Sequence, residues 1–288
     1  MAASAALPTI FEDKTPHTFS NGGGQIVYED SGETGNDKVI LCLPGIGDIR
    51  QSYRFLAPKL RQAGYRVLVS ELRASGDSKS AGFTDFRPED SASDALAVLA
   101  AAGVSHATIV CNSFTGASSF YIAGTHADKV DAIICLGGIV RDQSADTYFR
   151  PISHLLFNSL WGASSWVGYW KSLFKKTPPS DLETQANAIF QNLKKDAGQI
   201  AALGKMVRAT KNNCFAVASK ITAPVLLVVG TADPDFANPL KEMEDVSKSL
   251  TSSRKVEIKS MEGLGHYCHV EAPEIVGEFI LGFLKDLQ

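Results

Sequence analysis

The feature that most constrains the fold is an alternation of short apolar runs with helix-like segments, which begins near residue 38. The runs KVILCLPG, YRVLVSEL, HATIVC and VDAIICLGG are apolar at most positions, and helix-like stretches separate or follow them. The rhythm resumes later with PVLLVVG, KVEIKSME and the helical segment APEIVGEFILGFLKDL. Strands that are apolar on both faces are typical of parallel sheets covered by helices. The sequence therefore predicts an α/β fold, with a mostly parallel central sheet flanked by helices.

Two segments lie outside this alternation. Before it, HTFS and QIVYED flank NGGG, which predicts a hairpin with a glycine turn after a loose lead-in over residues 1–15. Within it, residues 139–220 contain no strand-like run but carry two long helical stretches, LLFNSLWGASSWVGYWKSLFKK and LETQANAIFQNLKKDAGQIAALGKMV. A structureless connection of that length would be implausible. We therefore predict an inserted helical cap at 139–220 on a core formed by 16–138 and 221–288.

Composition narrows the possible partners and location. The 288 residues carry 28 Lys and Arg against 31 Asp and Glu, which implies no general attraction to nucleic acid or anionic membranes. The start MAASAALPTIFEDK lacks the pattern of a signal peptide, and no apolar run has the length of a bilayer span. Five scattered cysteines favour buried free thiols over a disulfide framework. We expect a cytoplasmic protein without a nucleic-acid partner or stable membrane insertion, and the sequence leaves its oligomeric state open.

A candidate nucleophile lies in the stretch CNSFTG, between the strand-like HATIVC and the helix-like ASSFYIAGTHA. A nucleophilic serine at a strand end needs a sharp turn, with small residues two positions before and after it. Those positions hold Cys111 and Thr115, so the turn alone leaves open whether Ser113 is catalytic or caps a helix. The similar stretch GDSKS has no amphipathic helix directly after it, and Ser118 lies inside the predicted helix.

Two further residues complete a catalytic set in chain order. Asp233 follows the strand-like PVLLVVG in a turn, and His266 lies in the glycine-punctuated loop after KVEIKSME. A serine, an acid and a histidine at the carboxyl ends of successive strands match the order of a Ser-acid-His triad on a parallel sheet. We predict Ser113, Asp233 and His266 as the catalytic residues. Asp142 and Asp235 remain alternatives for the acid.

With these residues in place, the chain resembles α/β-hydrolase-fold proteins that have a serine nucleophile and a helical cap, over about residues 38–288. LPGIGD resembles the family's His-Gly loop, with Pro44 where histidine is common, and ELRASGDS resembles its loop after the next strand. The resemblance implies an oxyanion hole formed by the backbone N–H groups of Ile46 and Phe114. Pro44 has no N–H but does not stand at the donating position. We expect Asp48 and Arg50, just past this loop, to be solvated surface residues, with a position at the border of the pocket as the alternative.

The identity of the residue at position 113, a serine, narrows the reactions that the resemblance allows. Epoxide hydrolases and haloalkane dehalogenases carry aspartate at this position, so Ser113 argues against both. The resemblance implies a serine esterase that cleaves a small to medium apolar ester or related carbonyl substrate by a Ser-His-Asp acyl-enzyme mechanism, without cofactor or metal. The same triad could instead serve carbon–carbon bond hydrolysis, cyanohydrin cleavage or cofactor-free peroxidation. A non-catalytic ligand-binding protein on the hydrolase fold is a further alternative.

The inserted segment bears on substrate choice because it holds all three tryptophans, Trp161, Trp166 and Trp170. One interpretation is that they form the small core of the cap. The other is that at least one lines an apolar pocket above Ser113. His269, near His266 in sequence, is predicted to line the pocket or to have a structural role.

Overall fold

The computed structural model describes residues 8–32 and 38–288. Its centre is an eight-stranded sheet in the order β1-β2-β4-β3-β5-β6-β7-β8. The strands are β1 (His17–Asn21), β2 (Gly24–Asp30), β3 (Val39–Leu43), β4 (Arg66–Ser70), β5 (Ala107–Asn112), β6 (Val130–Leu136), β7 (Val225–Gly230) and β8 (Val256–Met261). Only the pairs β1–β2 and β2–β4 are antiparallel within the described sheet. The predicted α/β fold with a mostly parallel sheet is confirmed.

Helices cover both faces of this sheet. In the described ranges they are α1 (Leu56–Gln62), α2 (Pro88–Ala101), α3 (Thr115–Thr125), α4 (Asp146–Leu156), α5 (Gly162–Ser172), α6 (Leu182–Lys195), α7 (Ala197–Arg208), α8 (Asn212–Phe215), α9 (Pro239–Ser249), α10 (Cys268–Glu271) and α11 (Pro273–Lys285). Apolar residues of α2, α3 and α9 pack on one face, and those of α1 and α11 pack on the other. Every residue of β3, β5 and β7 is buried, which explains why these runs are apolar at most positions.

Helices α4 to α8 all lie between β6 and β7, in the interval where the sequence indicates a helical insertion. The second helical stretch of the prediction is two helices, because Asp196 adopts an extended backbone between α6 and α7. The side chain of Asp196 accepts the backbone N–H of Gly198 at 2.8 Å and so caps α7. Helix α4 begins about nine residues before the first predicted helical stretch and contains Pro151.

The beginning of the described chain is anchored more firmly than a loose lead-in predicts. Phe11 is buried in the core, and the backbone N–H groups of Ile10 and Phe11 donate to the Glu29 carboxylate at 2.7 and 3.3 Å. Residues 1–7 of the predicted lead-in lie outside the described residues. All five cysteines are buried free thiols, as predicted. Among the described residues, no helix combines the length and apolarity that a membrane crossing requires.

Candidate active site

Ser113 stands at the carboxyl end of β5, in the sharp turn that leads into α3. Its φ of 59° lies in the left-handed region, which only one other described non-glycine residue, Ala74, adopts. The turn is tied to the neighbouring strand. The N–H of Ser113 donates to the carbonyl of Leu136 at 3.3 Å, and its own carbonyl accepts the N–H of Ile139 at 2.9 Å. These bonds hold the serine in the geometry expected of a nucleophile turn.

The residues two positions before and after Ser113 fit this turn without glycine. The hydroxyl oxygen of Thr115 lies 2.8 Å from the carbonyl of Asn112 and 3.0 Å from that of Leu43, and it accepts the N–H of Asn112 at 3.2 Å. Thr115 thus connects the ends of β5 and β3. Cys111 is buried, with its Sγ 3.5 Å from the carbonyl oxygen of Ile134 on β6.

The segment after β3 passes directly against the serine turn. A Cβ at Gly45 would lie 3.1 Å from both Ser113 Cβ and Asn112 Oδ1, so this close approach favours glycine. The next residue, Ile46, lines the same cavity as Ser113 and Phe114. Within the described residues, no hydrogen bond uses the backbone N–H of Ile46 or Phe114. Both predicted oxyanion donors are therefore available to a ligand.

His266 and Asp233 are in contact beyond the carboxyl ends of β8 and β7. The Nδ1 atom of His266 lies 2.8 Å from Asp233 Oδ2, and Asp233 Oδ1 accepts the N–H of Asp235 at 2.9 Å. Gly137, just after β6, leaves room for this pair, because a Cβ there would lie 3.3 Å from both bonded atoms. His266 also lines the cavity, and its Nε2 is buried without a hydrogen-bond partner among the described residues. That nitrogen can accept a proton from a group in the cavity.

A second carboxylate also faces His266. Asp235 Oδ2 lies 3.5 Å from His266 Nδ1, and Asp235 Oδ1 accepts the hydroxyl of Tyr169 from α5. Burial opposes a positive charge on the imidazole, but Asp233 and Asp235 outweigh it and raise the pKa of His266 to about 9. Burial also raises the pKa of Asp235. Asp235 therefore acts on the same ring as Asp233, from a longer distance.

Asp142 and His269 are engaged elsewhere. Asp142 Oδ1 lies 2.7 Å from an Arg150 nitrogen and accepts the N–H of Lys211 at 2.9 Å. His269 is buried and stacks on Tyr53 with 5.1 Å between ring centroids. Burial lowers the pKa of His269 to about 3, so the ring is neutral at ordinary pH. His269 does not line the described cavity, and its contacts indicate a structural role.

Asp48 and Arg50 are buried, so the expectation of solvated side chains is wrong. Arg50 Nε lies 2.6 Å from Glu29 Oε1, and its Nη1 lies 2.7 Å from Glu71 Oε1. Asp48 Oδ2 accepts the indole N–H of Trp170 at 3.3 Å, and burial raises the pKa of Asp48 to about 6. A sequence signal for the burial of Arg50 was available. Glu29 and Glu71 lie at or just past the ends of apolar runs, and a buried carboxylate there needs a cation.

The three tryptophans divide into different roles. Trp166 lines the cavity and donates its indole N–H to the carbonyl of Gly47 at 2.8 Å. Trp170 is buried in the cluster that joins the insertion to the core, and Trp161 is 51% exposed. Neither Trp161 nor Trp170 lines the described cavity, so the prediction of a pocket role fits Trp166 alone.

The cavity encloses about 250 Å³ between the sheet edge and the inserted helices. Most of its lining side chains are apolar. The polar ones besides Ser113 and His266 are Gln143, Asp146, Tyr169, Lys211, Asp235 and Tyr267. Sequence reasoning missed most of these, because Gln143, Asp146, Tyr169 and Lys211 all come from the insertion, whose packing no local pattern determines.

One described group has the spacing of metal ligands. Single atoms of Asp233, Asp235 and His266 lie within 4.8 Å of one another. The imidazole nitrogen that faces both carboxylates is already hydrogen-bonded to Asp233 at 2.8 Å. This contact fits a proton shared between His266 and Asp233.

Comparisons with known proteins place this geometry in a family. A family model described as "alpha/beta hydrolase fold" matches residues 38–273. The chain is 23% identical over 260 residues to a protein of Escherichia coli O157:H7 named "Putative carbamate hydrolase RutD", covering 86% of this chain and 92% of that one.

Solved structures of differently named enzymes share the fold. The enol-lactonase of Burkholderia xenovorans LB400 matches with a TM-score of 0.78 at 17% identity, over 93% of this chain and 100% of its own. A thermophilic esterase of Thermogutta terrifontis matches with a TM-score of 0.74 at 18% identity, over 96% of this chain and 99% of its own. The epoxide hydrolase VrEH1 of Vigna radiata matches with a TM-score of 0.77 at 18% identity, over 96% of this chain and 98% of its own. Likenesses at such low identity show the fold alone. With the family model covering most of the sequence, the chain belongs to the α/β-hydrolase fold family.

Proposed function

We propose that the chain is a serine hydrolase that cleaves a small to medium apolar ester or related carbonyl compound through an acyl-enzyme intermediate. The observation that carries the proposal is one shared cavity, lined by Ser113 in its left-handed turn and by His266 with an unpartnered Nε2. The other ring nitrogen of His266 contacts Asp233 at 2.8 Å. A binding protein has no need of a base held in this way.

In the proposed reaction, His266 Nε2 takes the proton of Ser113 as its oxygen attacks the carbonyl carbon. The N–H groups of Ile46 and Phe114 stabilise the resulting oxyanion, where one such donor is worth about 10²–10³ in rate. The imidazolium then gives its proton to the leaving alcohol as the carbon–oxygen bond breaks. Water, activated by the same imidazole, releases the acid and restores Ser113. Asp233 keeps the proton on Nδ1 and stabilises the imidazolium throughout.

The insertion supports an apolar substrate. We assign residues 139–220 as the cap on a core of 16–138 and 221–288, because α4, α5 and α7 supply one wall of the cavity. Trp166, Met206 and Val207 from these helices face the same space as Ser113. The names of the relatives, an esterase, an enol-lactonase and a carbamate hydrolase, are consistent with hydrolysis at a carbonyl carbon.

The test is a panel of activated esters of rising acyl length, run on the wild type, Ser113→Ala and Ser118→Ala. Ser118 is a suitable control because it is a buried serine of α3 that does not line the cavity. We expect turnover and phosphonate labelling in the wild type and in Ser118→Ala, and neither in Ser113→Ala. Ester activity that persists in Ser113→Ala would overturn the assignment.

Two other outcomes would point to the alternatives. Labelling of Ser113 without ester turnover would favour carbon–carbon bond hydrolysis, cyanohydrin cleavage or peroxidation by the same triad. Absence of both labelling and turnover would favour a ligand-binding role.

A further inference from the structure

The cavity contains one cation besides the catalytic imidazole. Lys211 is the only lysine or arginine among the described lining residues, and its side chain is 7% exposed. It lies in the short connection between α7 and α8. No step of the proposed ester hydrolysis uses this ammonium group, so its position in the cavity requires another explanation.

The ammonium of Lys211 has only distant partners. Its Nζ lies 3.6 Å from Asp146 Oδ2 and 3.8 Å from Asp142 Oδ1, both beyond ordinary hydrogen-bond length. The oxygens of Asp142 are bonded by closer groups, with Arg150 at 2.7 Å from Oδ1 and the Thr210 hydroxyl at 2.8 Å from Oδ2. Among the described residues, Lys211 Nζ donates no hydrogen bond.

A largely buried ammonium that makes no close hydrogen bond is unfavourable, because the water it gave up is not fully replaced by protein acceptors. Buried charged groups are normally hydrogen-bonded, and each exception calls for an explanation. Lys211 lines the cavity, so its ammonium can be reached from that space. An oxygen atom of a bound ligand would supply the missing acceptor.

The charge around Lys211 indicates which acceptor fits. Lys211 and Arg150 are balanced by Asp142 and Asp146, so the cluster carries no net charge. Asp146 also lines the cavity and would repel a carboxylate placed against Lys211. A neutral oxygen acceptor gains the charge-assisted hydrogen bond without that repulsion.

We propose that Lys211 binds a neutral carbonyl oxygen on the acyl chain of the substrate, so that the preferred substrate carries a second oxygen function away from the scissile carbonyl. This inference rests on the proposed function and narrows its substrate class. Lys211 acts as a specificity determinant, and the apolar lining accepts the rest of the chain.

The test uses three matched sets of activated esters: plain alkyl chains, chains of equal length with a ketone moved stepwise along them, and chains that end in a carboxylate. We expect one ketone position to give a KM at least about tenfold lower than its alkyl match, since a hydrogen bond to a charged group has that worth. Lys211→Met, which keeps the aliphatic stem, should abolish the preference, so that the KM of the favoured ketone ester becomes equal to that of its alkyl match in the same variant. The control Lys205→Met removes an α7 lysine that donates to Thr84 outside the cavity and should change nothing.

The contrary outcomes distinguish failure of this inference from failure of the proposed ester hydrolysis. Equal KM for ketone and alkyl esters in the wild type, equal losses for both in Lys211→Met, or a preference for the carboxylate series would overturn it while ester hydrolysis stands. Unreactive ethers, in which a methylene replaces the scissile carbonyl, give a calorimetric readout that needs no turnover. If no ester is cleaved, calorimetry still tests the inference. Tighter binding of the ketone ether than of the alkyl ether, lost in Lys211→Met, would support it. Equal binding of the two ethers by the wild type would overturn it.

Discussion

The indole N–H of Trp166 donates to the carbonyl of Gly47 at 2.8 Å and so joins α5 of the inserted segment to the loop after β3. That loop also contains Ile46, whose N–H is a proposed oxyanion donor. Trp166→Phe keeps an aromatic ring but removes this hydrogen bond. Since one hydrogen bond has a net worth of about 0.5–1.5 kcal/mol, we expect kcat to fall about twofold to tenfold on activated esters.

The control for this prediction is Trp161→Phe. The indole of Trp161 donates to the carbonyl of Leu155 at 3.1 Å within the insertion and does not line the cavity. Loss of this hydrogen bond in Trp161→Phe should leave kcat unchanged. If Trp166→Phe and Trp161→Phe gave equal kcat values, the Trp166 hydrogen bond would not position the loop that contains Ile46.

The pH dependence of the rate follows from the two carboxylates at His266. Because the pKa of His266 is raised to about 9, the base is protonated at neutral pH, and kcat/KM should rise with pH with a midpoint at about 9. The unperturbed value of about 6.5 would place the rise well below this. Asp235→Asn removes one of the two charges that raise the pKa and should move the rising limb to lower pH. The measurement is kcat/KM on one ester across this range.

Asp233→Asn is the matched variant for this experiment. It should also lower the midpoint, but its main effect should be a plateau lower by about 10⁴, because the ring loses the partner that fixes its proton on Nδ1. A wild-type midpoint near 6.5, or an Asp235→Asn midpoint above that of the wild type, would contradict the role given to Asp235.

The sequence predicted the parts of this protein that local patterns determine. Apolar runs located the buried strands, and the chain order of Ser113, Asp233 and His266 suggested residues that do lie past the carboxyl ends of β5, β7 and β8. Asp235 was visible only as an alternative to Asp233, since proximity of both carboxylates to one imidazole depends on the conformation of the loop. Lys211 had no local signal, because its burial results from packing between α4 and the connection after α7. The roles of the three tryptophans also required the tertiary structure, since their spacing fits a small core equally well.

Thr115 tests how this turn manages without glycine. Thr115→Val keeps the shape of the side chain but removes the hydroxyl that bonds Asn112 and lies 3.0 Å from the carbonyl of Leu43. Buried backbone groups would lose their partner, so the free energy of unfolding should fall by about 1–3 kcal/mol in urea denaturation. Thr115→Ser keeps the hydroxyl and should lose less. A larger loss in the serine variant would mean that the methyl group, and not the hydroxyl, matters in this turn.

Arg50 is the counter-ion of two buried glutamates, Glu29 and Glu71, at 2.6 and 2.7 Å. Arg50→Met leaves both carboxylates without their cation, and breaking a buried pair in this way costs about 3–5 kcal/mol in the free energy of unfolding. Even beside Arg50, burial raises the pKa of Glu71 to about 7, and loss of the cation should raise it further. The loss relative to the wild type should therefore be smallest at acid pH, where the Glu71 carboxyl is protonated in both proteins, and should grow as the pH rises through and above about 7. Urea denaturation at several pH values measures both effects.

Two further variants make the Arg50 result specific. Arg50→Met combined with Glu71→Gln removes one stranded charge and should recover part of the lost free energy of unfolding. Arg141→Met breaks a pair with Glu242 in which the arginine side chain is 31% exposed, so its loss should be about 1 kcal/mol or less. If Arg50→Met were no more destabilising than Arg141→Met, the buried network would contribute nothing beyond a surface pair. Because Arg50 lies just beyond the oxyanion loop, an ester assay on the same variants shows whether that loop keeps its position when the ion pairs are lost.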